Sequence, residues 1–316
     1  MNLAIVMPYL DELSPGQVEL ALQIKKLDNP AVRGVLCGLN ASEDPLFFGQ
    51  YFDTMTDPGM GIDAVIFNGL CDIDADYIWF FGDDYIQING LSLLYEHLLS
   101  QPEKHPLLLS TKAVKNIDSL SSERDFTPRH KQEILSGNEA FLCFSDQLGY
   151  ISRVIYAPNM VRPCKDELAS FIGTNWVSLA AIIMSLFPRN QTAKVTILHH
   201  ITVFGIDRDQ SVTHWYGYET FLYGTLEIIR KLSNYFFPIP KKSVDIVARG
   251  IMWRALKARI VQSMDGITHG YANDWDFKRL KPLMSKTIFW SVYCVYFFDF
   301  PFKFVVRLKR WKHLFS

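Results

Sequence analysis

The sequence of 316 residues has few cysteines, and their spacing forms no metal-binding or disulfide pattern. No CxxC pair occurs, and the number of cysteines is odd. Zinc ribbons need closely spaced cysteines, and disulfide scaffolds need a dense, even set. Both classes are therefore excluded, and a reduced, cytoplasmic setting is expected. The cysteines are Cys37, Cys71, Cys143, Cys164 and Cys294.

Long apolar runs and cofactor-loop motifs are also missing. No stretch of about 20 uninterrupted apolar residues occurs, which a membrane-spanning helix requires. Residues 1–8 have neither the basic start nor the long apolar stretch of a signal peptide, so none is expected. Neither a GxGxxG motif nor a P-loop appears, so nothing indicates a site for NAD or ATP.

Basic residues are scarce at the front of the chain and acidic residues at the rear. Residues 1–100 hold 15 acids and 3 bases, whereas residues 217–316 hold 7 acids and 17 bases. The net charge of −1 conceals this division. The pattern indicates cation handling in the front part and contact with an anionic surface in the rear part.

Apolar runs alternate with helical patterns until about Trp215, and only helical patterns follow. This alternation predicts an α/β fold with a parallel sheet, and residues 116–138 are expected to form a polar loop. Strands are predicted at 3–7, 32–39, 76–81, 106–110, 148–156 and 194–203, and helices at 16–27, 63–70, 91–99 and 176–187.

Asp83 and Asp84 are the sharpest chemical feature, because they directly follow the aromatic strand predicted at 76–81. Open α/β sheets bind ligands at the carboxyl edge of their strands. Two adjacent carboxylates repel each other there unless a hard divalent cation such as Mg²⁺ or Mn²⁺ binds with a diphosphate. The alternative is a solvated turn.

The ordered motifs of residues 3–215 resemble glycosyltransferase family 2, and most closely its abequosyltransferase-like branch of bacterial surface-polysaccharide enzymes. The central match is the aromatic strand followed by Gly82-Asp83-Asp84, with a Gly-Ile-Asp segment upstream. The other matching segments are Ile5-Val6-Met7-Pro8-Tyr9, Asn40-Ala41-Ser42-Glu43-Asp44, Gly149-Tyr150-Ile151-Ser152, Phe171-Ile172-Gly173-Thr174-Asn175-Trp176 and Arg208-Asp209-Gln210-Ser211.

The resemblance implies a GT-A fold, in which a Rossmann-like sheet binds a nucleotide-sugar through a divalent metal. Residues 1–215 would form this domain and residues 216–316 a helical extension. By the resemblance, Pro8, Tyr9 and Asp44 would lie near the nucleoside. Arg208 would neutralise the diphosphate, for which the planar guanidinium is well suited.

The same resemblance implies roles for three acidic residues in binding the nucleotide-sugar and the metal. Asp63 would belong to the nucleotide-sugar site, Asp83 would lie near both the ribose and the metal, and Asp84 would be a metal ligand. A late histidine sometimes completes the metal shell in such enzymes, which makes His199 a further candidate ligand. Neighbours on a strand face opposite ways, so at most one of His199 and His200 could face the cleft. A structural role for both is the alternative.

This sequence departs from the family pattern at four places. Tyr85 replaces the third motif acid, Leu39 replaces the acid expected before Asn40, and Leu10 replaces an asparagine. The Glu-Asp pair that supplies the general base is absent at residues 174–175. Asp166 and Glu167 are the substitute base candidates, with solvated loop acids as the alternative. The departures leave open a rearranged metal site or weak, metal-independent activity.

Residues 288–316 combine an aromatic-rich run with interleaved lysines and arginines, and no acid follows Asp299. Such a segment is typical of a helix that lies in the bilayer interface. A C-terminal helix packed on the domain is the alternative. Nucleic acid is not an expected partner, because the bases interleave with bulky aliphatic residues.

Together these features predict a metal-dependent glycosyltransferase on the inner face of a bacterial cell membrane, and the family resemblance implies that it inverts the anomeric carbon. It would use a nucleotide-sugar donor and a lipid-linked glycan acceptor. Two alternatives stay open. A nucleotidyltransferase would need a Gly-rich loop near residues 8–17, which is absent. A catalytically degenerate glycan- or nucleotide-binding protein is favoured by Tyr85 and Leu39.

Overall fold

A computed structural model describes residues 1–9, 12–38, 51–55, 61–114, 120, 131–144, 148, 150–188, 193–206, 220–235, 237–264 and 275–297. The chain divides into two compact units, residues 1–212 and 213–316. The sequence-based boundary lies at residues 215–216, within a segment outside the described residues.

The first unit is an α/β structure built on nine strands among the described residues. Its strands are β1 (Leu3–Tyr9), β2 (Val32–Gly38), β3 (Phe52–Thr54), β4 (Tyr77–Phe80), β5 (Tyr85–Ile86), β6 (Leu107–Val114), β7 (Gln132–Ser136), β8 (Val154–Tyr156) and β9 (Lys194–Ile206). Its helices are α1 (Pro15–Leu27), α2 (Ile62–Asp72), α3 (Gly90–Ser100), α4 (Gly137–Phe144), α5 (Lys165–Ala169) and α6 (Val177–Leu186).

The strands form one mixed sheet in the order β3-β2-β1-β4-β8-β6-β9-β5, and β7 also pairs with β9. Strands β3, β2, β1 and β4 are mutually parallel, as the alternation of strands and helices predicts. Strand β8 is antiparallel to both β4 and β6, between which it lies. The carboxyl ends of β1 and β4 therefore lie side by side, and the polar residues that follow them meet at one edge.

The central strands are apolar on both faces because helices cover the sheet. Leu3, Ile5 and Met7 of β1 are fully buried, as are Trp79 and Phe80 of β4. Burial of each such side chain stabilises the fold by about 1.5–3 kcal/mol. This core supports the edge that carries the acidic pair.

Several sequence-based boundaries are wrong in the first unit, and the strands predicted at 106–110 and 194–203 extend to Val114 and Ile206. The end of the polar loop predicted at 116–138 is instead the edge strand β7 followed by the start of α4. The strand predicted from Leu148 begins only at Val154, after a 3₁₀ turn at Ile151–Arg153. The sequence does not predict strand β7, because β7 is largely exposed at the sheet edge and shows no apolar alternation.

The second unit is helical in its described part, as the sequence predicts. It contains a π-helical turn at Thr220–Gly224, α7 (Thr225–Tyr235), α8 (Lys241–Met264), α9 (Phe277–Leu280) and α10 (Lys286–Phe297). Helix α10 packs on this unit through Ile288, Phe289, Val292 and Tyr296. Among the helices that the structure describes, none is both long and apolar enough to cross a bilayer.

Candidate functional site

The carboxyl ends of β1 and β4 are joined by the side chain of Gln17. Its amide nitrogen donates to the carbonyl of Pro8 at 2.7 Å and to that of Phe81 at 3.1 Å. Its amide oxygen accepts from the backbone N–H of Ser14 at 2.9 Å, which completes a capping box at the start of α1. Because Gln17 is buried, these bonds hold both strand ends against the helix N-terminus.

Helix α1 approaches the acidic pair closely at Gly16. A Cβ atom at this position would lie 1.8 Å from the carbonyl oxygen of Asp84. Only glycine fits here, because a backbone carbonyl cannot move aside as a flexible side chain can. Gly16 therefore sets the position of the Asp84 backbone beside the start of α1.

Asp84 is buried, and its carboxylate accepts a hydrogen bond from the Tyr150 hydroxyl. Gly205 of β9 leaves room for this pair, because its Cβ would lie 3.2 Å from the Tyr150 oxygen and 3.5 Å from Asp84 Oδ1. Burial raises the pKa of Tyr150, and the negative charges of Asp84 and Asp83 raise it further. Tyr150 thus stays a protonated donor that orients the Asp84 carboxylate.

Ser152 fixes the backbone just before the acidic pair. Its hydroxyl accepts from the N–H of Gly82 at 2.9 Å, and its carbonyl accepts from the indole of Trp79 at 2.8 Å. Residues 150–152 therefore contact β4 and the turn that follows it over a sequence separation of about 70 residues.

The two acids of the pair differ in environment. Asp83 is exposed, whereas Asp84 is directed toward Tyr150. Tyr85, at the position of the third motif acid, is buried in a small apolar cluster with Val114 and Phe204. Within the described ranges, no three His, Cys, Asp or Glu side chains form a group that could hold a metal ion.

Asp83 and Asp84 still match one common kind of magnesium site. Mg²⁺ is usually held by one or two carboxylates, with the remaining positions taken by phosphate oxygens and water. An exposed Asp83 beside an oriented Asp84 provides that number of carboxylates. The donor set therefore fits a divalent cation that binds together with a diphosphate.

Pro8 and Tyr9 lie at the same edge as the acidic pair, at the end of β1. Tyr9 is buried in the main core of the unit. Asp44 and Arg208, the other predicted nucleotide-binding residues, lie outside the described residues.

Asp63 acts differently from the prediction that it contacts the nucleotide-sugar. Its carboxylate accepts from the backbone N–H groups of Asn175 at 2.6 Å and Val177 at 3.2 Å. Burial raises the pKa of Asp63, and hydrogen bonds from residues 173, 174, 175 and 177 partly offset that rise. Asp63 is buried and ties the start of α2 to the turn before α6, so the structure gives it a structural role.

The structure places Asp166 and Glu167, the predicted base candidates, on a helix that begins away from the acidic pair. Helix α5 begins beside the end of α2, where Lys165 Nζ lies 3.1 Å from Asp72 Oδ1. Asp72 precedes β4 and so lies at its amino edge, whereas Asp83 follows its carboxyl edge. The four residues of β4 separate these edges by about 13 Å.

His199 also lies away from the pair, which corrects its prediction as a metal ligand. It lies on β9 between Leu198, which pairs with Leu109 of β6, and Gly205, which pairs with Ala113. Strand β6 crosses this interval in four residues, or about 13 Å, because an irregularity in the pairing leaves three extra residues in β9. The His199 ring instead lies 3.3 Å from Glu133 Oε2 on β7, and the His200 ring lies 3.2 Å from the Lys131 carbonyl.

Four site residues were not singled out as functional by sequence reasoning. Gln17 had a readable signal, because Ser14 and Gln17 have the spacing of a capping box. Tyr150 lies in the family-like segment 149–152, but nothing in the sequence indicated its contact with Asp84. Gly16 and Gly205 had no signal, since their contacts join segments that are distant in sequence. Such contacts become visible only when the sheet order is known.

No protein-family model and no curated protein sequence matches the chain. Solved structures of S. aureus TarS residues 1–349 do match its fold. The complex with UDP-GlcNAc has a TM-score of 0.55 at 11% identity and covers 81% of this chain and 73% of that chain. The complex with UDP has a TM-score of 0.53 at 11% identity, with coverages of 81% and 72%. The fold is accordingly that of GT-A, Rossmann-like glycosyltransferases, which confirms the expected fold class.

Proposed function

We propose that the chain is an inverting glycosyltransferase that moves a sugar from a nucleotide-sugar to a lipid-linked glycan. The observation that carries the proposal is the acidic pair at the carboxyl edge of a GT-A sheet, with Asp83 exposed and Asp84 oriented by Tyr150. The proposed pathway is bacterial surface polysaccharide assembly, and its abequosyltransferase-like branch rests on the sequence motifs alone.

UDP is the first donor nucleotide to test, because the TarS structures of similar fold contain UDP-GlcNAc and UDP. A divalent cation, Mn²⁺ or Mg²⁺, would be held by Asp83 and Asp84. When bound, it supplies positive charge that stabilises the leaving diphosphate. Tyr150 keeps the Asp84 carboxylate in place, and Gln17 keeps both strand ends in place, before the donor arrives.

A thermal-shift panel tests this proposal. UDP, GDP, CDP and dTDP are each added with Mn²⁺ or with a chelator, and the Tm is recorded. A nucleotide at ~100 times its Kd stabilises the folded chain by about 2.7 kcal/mol. Metal-dependent stabilisation by one nucleotide is expected and names the donor class.

Two variants test whether the metal-dependent Tm shift depends on Asp83. Asp83→Asn is expected to remove the metal-dependent Tm shift while the Tm without ligand stays the same, since Asp83 is exposed. Asp74→Asn is the matched control, because Asp74 is an exposed acid that precedes β4. An undiminished shift in Asp83→Asn would refute the role given to this residue.

A catalytically degenerate binding protein is the second candidate, and the burial of Tyr85 in an apolar cluster favours it. The structure also leaves the general base unassigned among the described residues near the pair. Binding of a nucleotide-sugar without transfer or donor hydrolysis would support this candidate. Turnover with any glycan acceptor would exclude it.

Of residues 288–316, for which membrane contact is proposed, residues 298–316 are the part to test first. Residues 298–316 lie outside the described residues, and α10 buries one face against its own unit. A truncation at residue 287 would remove that buried face and damage the fold. A truncation after Phe297 is the sharper test, and a smaller fraction of the chain in the membrane pellet is the expected result.

A further inference from the structure

Helix α8 carries a solvent-facing stripe of basic and apolar side chains that the sequence patterns did not single out. The stripe consists of Lys242, Ile246, Arg249, Trp253 and Lys257, all of which are exposed. Their spacing is i, i+4, i+7, i+11 and i+15, which places them on one face of an α-helix. The stripe extends over about 22 Å at 1.5 Å per residue.

Two large apolar side chains lie within the stripe. Ile246 has 43% of its surface exposed and Trp253 has 37%. The opposite face of α8 is already buried in the core of its unit, through residues such as Val247, Ile251 and Ala255. The exposed apolar groups are therefore additional to those that the fold itself uses.

The charge of α8 is strongly one-sided. The helix contains six basic residues and one acid, Asp245. Asp245 forms an ion pair with Arg230 of α7, whose Nη2 lies 2.7 Å from Asp245 Oδ1. Lys241 and Lys242 lie in the first turn, where the helix dipole is also positive. The five residues of the stripe thus include three bases and no acid.

We propose that this stripe docks the protein on an anionic phospholipid bilayer, with Trp253 and Ile246 inserted among the headgroups. Tryptophan favours the membrane interface, and lysine and arginine extend their charged ends to lipid phosphates. The inference extends the membrane contact of the proposed function to a second surface and does not rest on the transfer chemistry.

The charge pattern favours a bilayer over a second copy of the chain. In a two-fold symmetric dimer through this stripe, the Lys242 end of one helix would face the Lys257 end of the other. Like charges that face each other across an interface disfavour association. An anionic bilayer instead attracts every base of the stripe at once.

Flotation with vesicles tests the proposal on the full chain. Vesicles of phosphatidylcholine alone are compared with vesicles that also contain phosphatidylglycerol. Preferential binding to the anionic vesicles is expected. Lys257→Gln should lower the apparent affinity about fivefold, and Trp253→Gln should lower it at least as much.

Matched controls come from α1. Lys26→Gln and Leu22→Gln change exposed residues of similar charge and apolar character, and both should bind as the unchanged chain does. Equal binding to both vesicle types, or full binding by both α8 variants, would overturn the proposal. So would a Trp253→Gln variant that loses self-association, measured by sedimentation, while vesicle binding stays the same. The nucleotide Tm shift is read in parallel, so that failure of the docking surface and failure of the proposed activity are distinguishable.

Discussion

At the residue scale, the contact between Tyr150 and Asp84 governs the site most directly. Asp84 is buried, so its carboxylate needs a hydrogen-bond donor, and the Tyr150 hydroxyl is one. Gly205 leaves the space in which the two groups meet. The neighbouring Asp83 remains exposed at the same edge, so one acid is oriented by the protein while the other faces solvent.

Tyr150→Phe is expected to destabilise the protein by about 1–3 kcal/mol, because a buried carboxylate loses a donor. It should also weaken nucleotide binding, since Asp84 is no longer oriented. Urea unfolding and the Tm shift with nucleotide measure the two effects. Tyr51→Phe is the control, because Tyr51 donates to the exposed Asp28. Equal stability losses in both variants would show that burial of the Asp84 contact is unimportant.

At the element scale, the start of α1 and the turn after β4 are in direct backbone contact. Gly16 touches the Asp84 carbonyl, while the Gln17 side chain holds the ends of β1 and β4. The first turn of α1 therefore fixes the position of the backbone that carries the acidic pair. The amino edge of the same strands has its own link, in which Asp76 contacts Lys104 and accepts from the N–H of Asn2.

Gly16→Ala is expected to destabilise the chain by at least about 1–3 kcal/mol, because its Cβ would overlap the Asp84 carbonyl. Gly250→Ala in α8 is the matched control. Its Cβ would meet only Arg254, at 3.9 Å, so the better helix propensity of alanine should stabilise by about 0.5–1 kcal/mol. Thermal unfolding of both variants checks the prediction, which fails if the two shifts have the same sign.

Asp76 gives a pH-dependent prediction at the opposite edge. The hydrogen bond from Lys104 lowers the pKa of Asp76 from its ordinary value of 3.8. The folded state therefore holds the Asp76 proton less tightly than the unfolded state does. The stability from Asp76 is fully present above pH 3.8 and is lost as the pH falls through the folded-state pKa. Unfolding free energies of Asp76→Asn and the unchanged chain should converge in acid, and a constant difference would contradict this.

At the scale of the whole molecule, the acidic pair belongs to the first unit and the basic stripe to the second. The division of charge in the sequence follows the same boundary: the acids are concentrated in the front of the chain and the bases in the rear. The proposed ligand binding and the proposed surface docking therefore belong to different compact units.

The two activities should be separable by mutation. Asp83→Asn is expected to lose the metal-dependent Tm shift and to keep its vesicle binding. Trp253→Gln combined with Lys257→Gln should behave in the opposite way. Thermal shift and flotation on the same preparations check this. A variant that loses both properties while folded would contradict an assignment to separate units.

From the sequence alone one could predict the α/β alternation, the helical rear part and the position of Asp83 and Asp84 after an apolar strand. These features depend on local periodicity and on strand ends, which a linear pattern records. The capping box of Gln17 belongs to the same class. The resemblance to a GT-A fold also follows from motifs in their order along the chain.

The tertiary structure alone decided what each acid contacts. The pairing of Asp84 with Tyr150, the hydrogen bonds from Asn175 and Val177 to Asp63 and the distance of His199 from the pair all depend on which elements are neighbours. Two acids adjacent in sequence have different environments because one faces solvent and the other faces a residue 66 positions away. The basic stripe of α8 likewise emerged only when burial showed which of its faces the fold already uses.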